Sequence, residues 1–434
     1  MALAEHLHFT RRQWLAGSVA LGAGAALGEI PAWAQSASSW PSVRNLVARY
    51  TSGGKVANMV ASLGVGDAAP ALIASGLDSF GGQRRSDGRS LYRIYSMTKP
   101  VTGMAAAMLI DEGKLGLDQP LHDILPRYRD MQVQKVYDGP IGAGNLEPAV
   151  RPITMRHLLT HTSGLGYGIV QSGPLMEAYF DRGIVPALFT RLQIIPQLRA
   201  TPAPSLEIFA DRLADMPLVY QPGTRWSYSM GLDVMGRVIE VVTGQPFDRF
   251  LQERFFDPLG MADTGFQARR ADADRMTTNY FILGGRLLPV DPGGASIFYD
   301  KPPFPFGGAG LVSTPADYDR FLQMLLGYGQ IGGKRIMSER AVRLGISDLL
   351  PDTLSPQDEY SSGPWGFGAG GRVGRGDEEG VYGWAGAAGT IGFVHFPSNL
   401  RAGLYTQYMP MESYPLLEEF PNAIRADIAS GNAA

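Results

Sequence analysis

The period of hydrophobic and polar positions changes twice along the chain. Residues 56–64 and 71–76 are short apolar runs bounded by Gly and Pro, which predict a pair of strands, and 90–95 predicts a third. From Ser96 to about Glu112 the chain is rich in Ala and Met and reads as a helix ended near Gly113. Helical signals dominate from 117 to 299. Residues 154–160 form a short helix with Gly164 beyond it. Residues 230–242 put Val234, Val238, Val241 and Val242 on one face and stop at Gly244, and the aromatic-rich stretch 247–256 stops before Pro258. Thr314 then offers a capping oxygen ahead of Pro315, a start for a helix over 318–326.

The tail reverts to strands, over 365–371, 381–385, 390–396 and 401–409, separated by Gly, Pro and Asn. Pro415 and Pro421 divide the last apolar segment into one kinked helix or two short ones. Strands at both ends with helices between predict one α/β unit, 40–115 with 305–434, and a mainly helical domain, 116–304, inserted into it. The cleft between the two is the default site.

The longest apolar run lies ahead of all this. Thr10-Arg11-Arg12-Gln13-Trp14-Leu15 opens it, and it extends only to Leu27, about 13 residues where a membrane span needs about 20. Ala32-Trp33-Ala34 follows as a small-x-small cleavage pattern. Residues 1–34 thus resemble a twin-arginine export signal, with a mature chain from near Gln35 that is periplasmic or secreted and not stably membrane-associated.

Composition narrows the chemistry. The 434 residues are 45% hydrophobic and 18% charged, which excludes a disordered chain. Lys and Arg number 38 against 41 Asp and Glu, a net charge of −3, and no basic stripe stands out, so nucleic acid is excluded as a partner. Cysteine is absent, which removes disulfides, thiol nucleophiles and Cys-bound metals. A nucleophile must then be a hydroxyl or an amine. The Gly-x-Ser-x-Gly elbow does not occur. Ser96-Met97-Thr98-Lys99 does occur: residues three apart share a helix face, so Lys99 can lie beside Ser96. A serine in the first turn of a helix also gains from the positive potential there.

Three longer strings widen that motif. They are Leu91-Tyr92-Arg93-Ile94-Tyr95-Ser96-Met97-Thr98-Lys99-Pro100-Val101-Thr102, Ile153-Thr154-Met155-Arg156-His157-Leu158-Leu159-Thr160-His161-Thr162-Ser163-Gly164-Leu165 and Tyr220-Gln221-Pro222-Gly223-Thr224-Arg225-Trp226-Ser227-Tyr228-Ser229. Together, in this order, they resemble the class C β-lactamase-like serine hydrolases, and the likeness runs from about Val43 to Met409. The resemblance implies a serine β-lactamase-like α/β (α+β) fold, an antiparallel sheet flanked by helices. It also implies Ser96 as the acyl-accepting nucleophile, Lys99 as its helix partner and Tyr228 as the tyrosine of a Tyr-x-Asn motif. A phenolate at Tyr228, favoured by the nearby ammonium, or a Tyr–Lys pair sharing a proton, would then take the Ser96 proton. The family spans β-lactamases, D-amino-acid peptidases, esterases, amidases and an acyltransferase, so membership defines machinery better than substrate.

Two departures bear on substrate. Where the family has Lys-Thr-Gly or His-x-Gly, this chain has Trp384-Ala385-Gly386-Ala387, a version that resembles the family VIII carboxylesterase branch. Trp384 offers an indole N–H and an apolar face but no cation. By the same resemblance Gly386 lies in the substrate site, and the Ala387 and Ser96 N–H groups form the oxyanion hole. The Tyr-x-Asn motif reads Tyr228-Ser229-Met230, and methionine offers only a soft apolar surface. Both changes make the pocket apolar and favour a neutral ester with a hydrophobic acyl or alcohol part over a β-lactam. The reading is a serine esterase with no cofactor and no metal. An amidase, D-amino-acid peptidase, β-lactamase or acyltransferase on the same scaffold, or a non-catalytic binding protein, are the alternatives.

Other clusters carry less. His157 and His161 are four apart but lack the glutamate and third ligand of a zinc site, and read as buried, hydrogen-bonded histidines. Asp377-Glu378-Glu379 reads as a solvated loop. Gly307-Gly308-Ala309-Gly310 reads as a turn lining the cleft. Phe298, Tyr299, Phe304 and Phe306 form either a pocket wall or scattered core.

Overall fold

The computed structural model describes residues 36–192 and 200–430; the twin-arginine string and Ala32-Trp33-Ala34 lie outside the described residues. Helix α1 (Pro41–Ser52) begins on a proline, whose missing N–H is no loss in the first turn, and turns Val43, Leu46, Val47 and Tyr50 inward. Strands β1 (Asn58–Val65) and β2 (Ala71–Gly76) form an antiparallel pair. Helix α2 (Thr98–Asp111) follows, then α3 (Met155–Leu159), α4 (Gly231–Thr243), α5 (Pro315–Leu326) and α6 (Glu339–Ile346). The tail supplies β3 (Trp365–Phe367), β4 (Arg372–Gly374), β5 (Val381–Gly386), β6 (Thr390–His395), β7 (Leu400–Tyr405) and helix α7 (Leu416–Ala429).

These strands make one seven-stranded sheet in the order β3-β4-β5-β6-β7-β1-β2, antiparallel at every step. The two ends of the chain meet where β1 pairs with β7, Val60 opposite Tyr405. Neighbouring residues of a strand point to opposite faces. On β6, a Cβ at Gly392 would lie 2.7 Å from the Tyr318 ring of α5, whereas Phe393 meets Phe420 of α7 with centroids 6.2 Å apart. Helices therefore cover both faces of the sheet, and Gly392 is where α5 comes too close for a side chain.

Helix α2 has no polar stripe because it has no solvent face. Every residue from Thr98 to Leu109 is buried, Lys99 included. Its hydroxyls clamp the segment that crosses it: Thr102 donates to the Gly307 carbonyl at 2.7 Å and Thr98 accepts from the Leu311 N–H at 3.1 Å.

Several boundaries differ from the pattern. The strand expected over 90–95 shrinks to Tyr92–Arg93, because Tyr95–Met97 winds into a 3₁₀ turn that leads into α2. The strand expected over 401–409 splits into β7 and Tyr408–Met409, which joins a separate hairpin, Asn279–Leu283 with Arg286–Asp291. Helical structure runs past Phe256 through Asp257–Leu259. Pro258 sits in the first turn of that segment, where proline is tolerated, and left-handed Gly260 ends it. The last apolar segment is one helix, α7, with Pro421 inside it. Between 116 and 304 the described residues hold α3, α4, helices at Pro174–Asp181 and Leu206–Ala214, a helical run from Phe247 to Leu259, and two hairpins. Asp377-Glu378-Glu379 is not wholly solvated, since Glu378 is buried in a 3₁₀ turn that tucks against Gly374.

Candidate active site

Ser96 sits in the 3₁₀ turn ahead of α2, at the positive end of that helix. Lys99 lies one turn on, fully buried, and its Nζ donates to Ser96 Oγ at 3.1 Å and to the Gly308 carbonyl at 2.7 Å. Tyr228, in the loop before α4, donates its hydroxyl to the same Ser96 Oγ at 2.7 Å. Lys99 Nζ is 4.5 Å from the centroid of the Tyr228 ring. Two side chains, one three residues away and one 132 residues away, thus converge on the Ser96 oxygen.

Strand β5 closes the site. Its alternation puts Tyr382, Trp384 and Gly386 on one face. Trp384 Nε1 donates to the Tyr228 hydroxyl at 3.2 Å. A Cβ on Gly386 would lie 2.3 Å from the Ile94 carbonyl, so the end of β5 runs directly against the segment that carries Ser96. Ala387 follows at once in the turn to β6. Met230 stands at the N-terminal boundary of α4, makes no capping hydrogen bond with its side chain, and is fully buried, two residues beyond Tyr228.

Burial governs the electrostatics. It pulls the Lys99 ammonium well below the usual lysine range, and the Asp233 carboxylate partly opposes that fall. It pushes the Tyr228 phenol up, against the Ser96 and Trp384 hydrogen bonds that pull it down. This weighs against a phenolate held by an ammonium. The dry surroundings favour a neutral phenol beside a lysine that gives up its proton easily.

Asp233, on the first turn of α4, was not singled out from the sequence. It is fully buried, accepts the Gly308 N–H at 2.9 Å, and burial raises its carboxyl while Lys99 holds it down. Its sequence signal is a lone carboxylate in the apolar start Gly231-Leu232-Asp233-Val234-Met235. Tyr167 also went unnoticed: its ring lies 5.6 Å from Lys99 Nζ and 5.2 Å from the Tyr228 ring, edge to face. His161, read as a buried histidine, lies beside the site as well. Its ring is 4.7 Å from that of Tyr228, and Nδ1 accepts the Ser229 N–H at 3.2 Å. Burial and the Lys99 charge keep His161 neutral. His157 instead completes a capping box with Thr154 at the start of α3.

The aromatic stretch divides between two places. Phe304 and Phe306 belong to the main core. Phe298 and Tyr299 pack with Tyr95 in a second apolar cluster, with half-buried Ala387 and Phe189 at its edge. That cluster therefore includes the residue before Ser96 and the residue proposed for the oxyanion hole.

Residues 43–419 match the Beta-lactamase family, and the chain belongs to that family. It is 33% identical over 253 residues to esterase EstB of Burkholderia gladioli, covering 54% of this chain and 57% of EstB. It is 34% identical over 247 residues to monacolin J acid methylbutanoyltransferase of Aspergillus terreus, covering 54% and 52%. The matches thus span little more than half the length of these curated relatives. The solved structure of EstCE1, "a hydrolase with promiscuous acyltransferase activity", superposes with a TM-score of 0.71 at 24% identity over 90% of this chain and 98% of EstCE1, a likeness of fold. Fold and family together place the chain in the Beta-lactamase family, among relatives named as an esterase and an acyltransferase.

Proposed function

We propose that the protein is a carboxylic ester hydrolase that works through an acyl-enzyme on Ser96. The observation that carries this reading is the double approach to Ser96 Oγ, by Tyr228 at 2.7 Å and Lys99 at 3.1 Å. Neutral Lys99 takes the hydroxyl proton as Oγ attacks the ester carbonyl. The Ser96 and Ala387 N–H groups receive the developing oxyanion. Tyr228 gives its proton to the departing alkoxide and regains one from Lys99. Water then attacks the acyl-enzyme along the same proton path in reverse, and carboxylate leaves.

Trp384 in place of a lysine, and the apolar cluster around Tyr95, Phe298 and Ala387, support a neutral substrate with an apolar acyl part. The names of the relatives support a second reading, in which an alcohol intercepts the same acyl-enzyme and the ester is remade. The test is a panel of p-nitrophenyl esters of rising acyl length beside a chromogenic cephalosporin, with and without added alcohol. The hydrolase reading requires ester turnover in water alone; products formed only with alcohol require the transferase reading. We also propose that residues 1–34 direct export, to be checked by the N-terminal mass of the native protein.

A further inference from the structure

Among the described residues, three arginines are buried to 2% exposure or less: Arg93, Arg372 and Arg401. Arg93 meets Asp291 at 2.5 Å and Arg401 meets Asp319 at 2.8 Å, so each buried charge closes on a carboxylate. Arg372, at the start of β4, closes on aromatic rings instead. Its guanidinium carbon lies 5.1 Å from the centroid of Trp365, 5.6 Å from that of Trp384 and 5.9 Å from that of Tyr360. One terminal nitrogen donates to the Tyr360 hydroxyl at 3.1 Å, and Nε is buried with no partner.

One of those rings is the one that touches the reacting groups. Trp384 contacts the guanidinium through its ring and sends its Nε1–H to the Tyr228 hydroxyl. A cation held near an indole within about 6 Å is attracted to the ring, most strongly where water is excluded. It therefore restrains the ring's position, and it draws electron density away from the N–H and makes that N–H a stronger donor. A stronger donor at Tyr228 steadies the phenol oxygen in the step where its proton passes to the leaving group.

We propose that Arg372 is a positioning residue that acts on Tyr228 through Trp384. The proposal rests on the reading of Ser96 and Tyr228 as reacting groups. Arg372 is remote from the three strings that carry the family likeness, and its site is assembled only when β3, β4 and β5 lie side by side.

The experiment combines Arg372→Met, Arg372→Lys and Trp384→Phe, read as kcat and KM for a short p-nitrophenyl ester and as the rate at which a fluorophosphonate labels Ser96. Arg372→Met is expected to lower kcat about tenfold with KM unchanged, with labelling slowed in parallel. Arg372→Lys, which keeps the charge but not the planar guanidinium, is expected to lose less. In a Trp384→Phe background, Arg372→Met is expected to change either rate by less than about twofold, because the path through the indole is already cut. The proposal is overturned by wild-type kcat in Arg372→Met, by a loss of equal size with and without Trp384, or by failure of both Arg372 variants to fold, which would make the residue purely structural. A wild type that is labelled but turns over no ester would defeat the esterase reading alone, since the labelling comparison still decides the role of Arg372.

Discussion

Asp233 and Lys99 grip the two backbone polar groups of Gly308: its N–H donates to the Asp233 carboxylate at 2.9 Å, and its carbonyl accepts from Lys99 Nζ at 2.7 Å. Only glycine fits between them, because a Cβ there would lie 2.6 Å from Asp233 Oδ2. The carboxylate and the ammonium are thereby held near one another without touching, and the anion offsets part of what burial does to the cation. Gly308→Ala is accordingly expected to lower kcat while leaving the rest of the fold in place, measured by ester turnover beside circular dichroism.

The same relationship sets a pH dependence. The reaction needs Lys99 as a neutral amine, which exists above its pKa, and burial brings that pKa down to about 7. Activity on a neutral ester should therefore rise with pH through that region. Asp233→Asn keeps an acceptor for the Gly308 N–H but removes the anion that raises the Lys99 pKa. The acid limb of kcat/KM is expected to move to lower pH. A move to higher pH would show that the carboxylate does not act on Lys99.

Lys99→Ala and Tyr228→Phe are each expected to lower kcat by about a hundredfold or more, the scale of general acid–base assistance. Since both serve one proton path, the double variant should lose much less than the product of the single losses. Multiplicative losses in steady-state turnover would separate the two residues into independent roles.

Substrate preference should follow Trp384. A β-lactam carboxylate brought to this site meets an indole in place of a cation, and losing a charge-assisted hydrogen bond costs roughly 1.5–3 kcal/mol, about ten- to a hundredfold in rate. Short and medium acyl esters are expected to exceed any β-lactam in kcat/KM. Trp384→Lys combined with Met230→Asn is expected to narrow the difference. A wild type that hydrolyses the cephalosporin better than the esters would contradict the argument from these positions.

What could be read before folding depended on whether a signal lies in one stretch of chain. Ser96, Lys99 and Tyr228 stand inside contiguous strings, and the strand pattern at both ends already implied a sheet built from two distant segments. Asp233 and Tyr167 join the site only through packing: nothing local says that α4 carries its carboxylate to the far side of Gly308. His161 stands inside one of the strings, but its place against the Tyr228 ring comes from packing. The hairpin at 279–291 did have a local sign, since Gly284 and Gly285, both at positive φ, form its two-residue turn. Its parallel pairing with Tyr408–Met409 had none. Helix α2 was legible from composition alone, because a helix buried on all sides shows no amphipathic period.

The central claim is that Ser96 carries the acyl group, and the most direct test is the intact mass of the protein after a brief exposure to a p-nitrophenyl ester and acid quench, with the modified peptide sequenced. The account predicts a mass increase of one acyl group on the peptide holding Ser96, and none, with no turnover, in a folded Ser96→Ala variant. An acyl group found on another residue, or ester turnover that survives in Ser96→Ala, would contradict it.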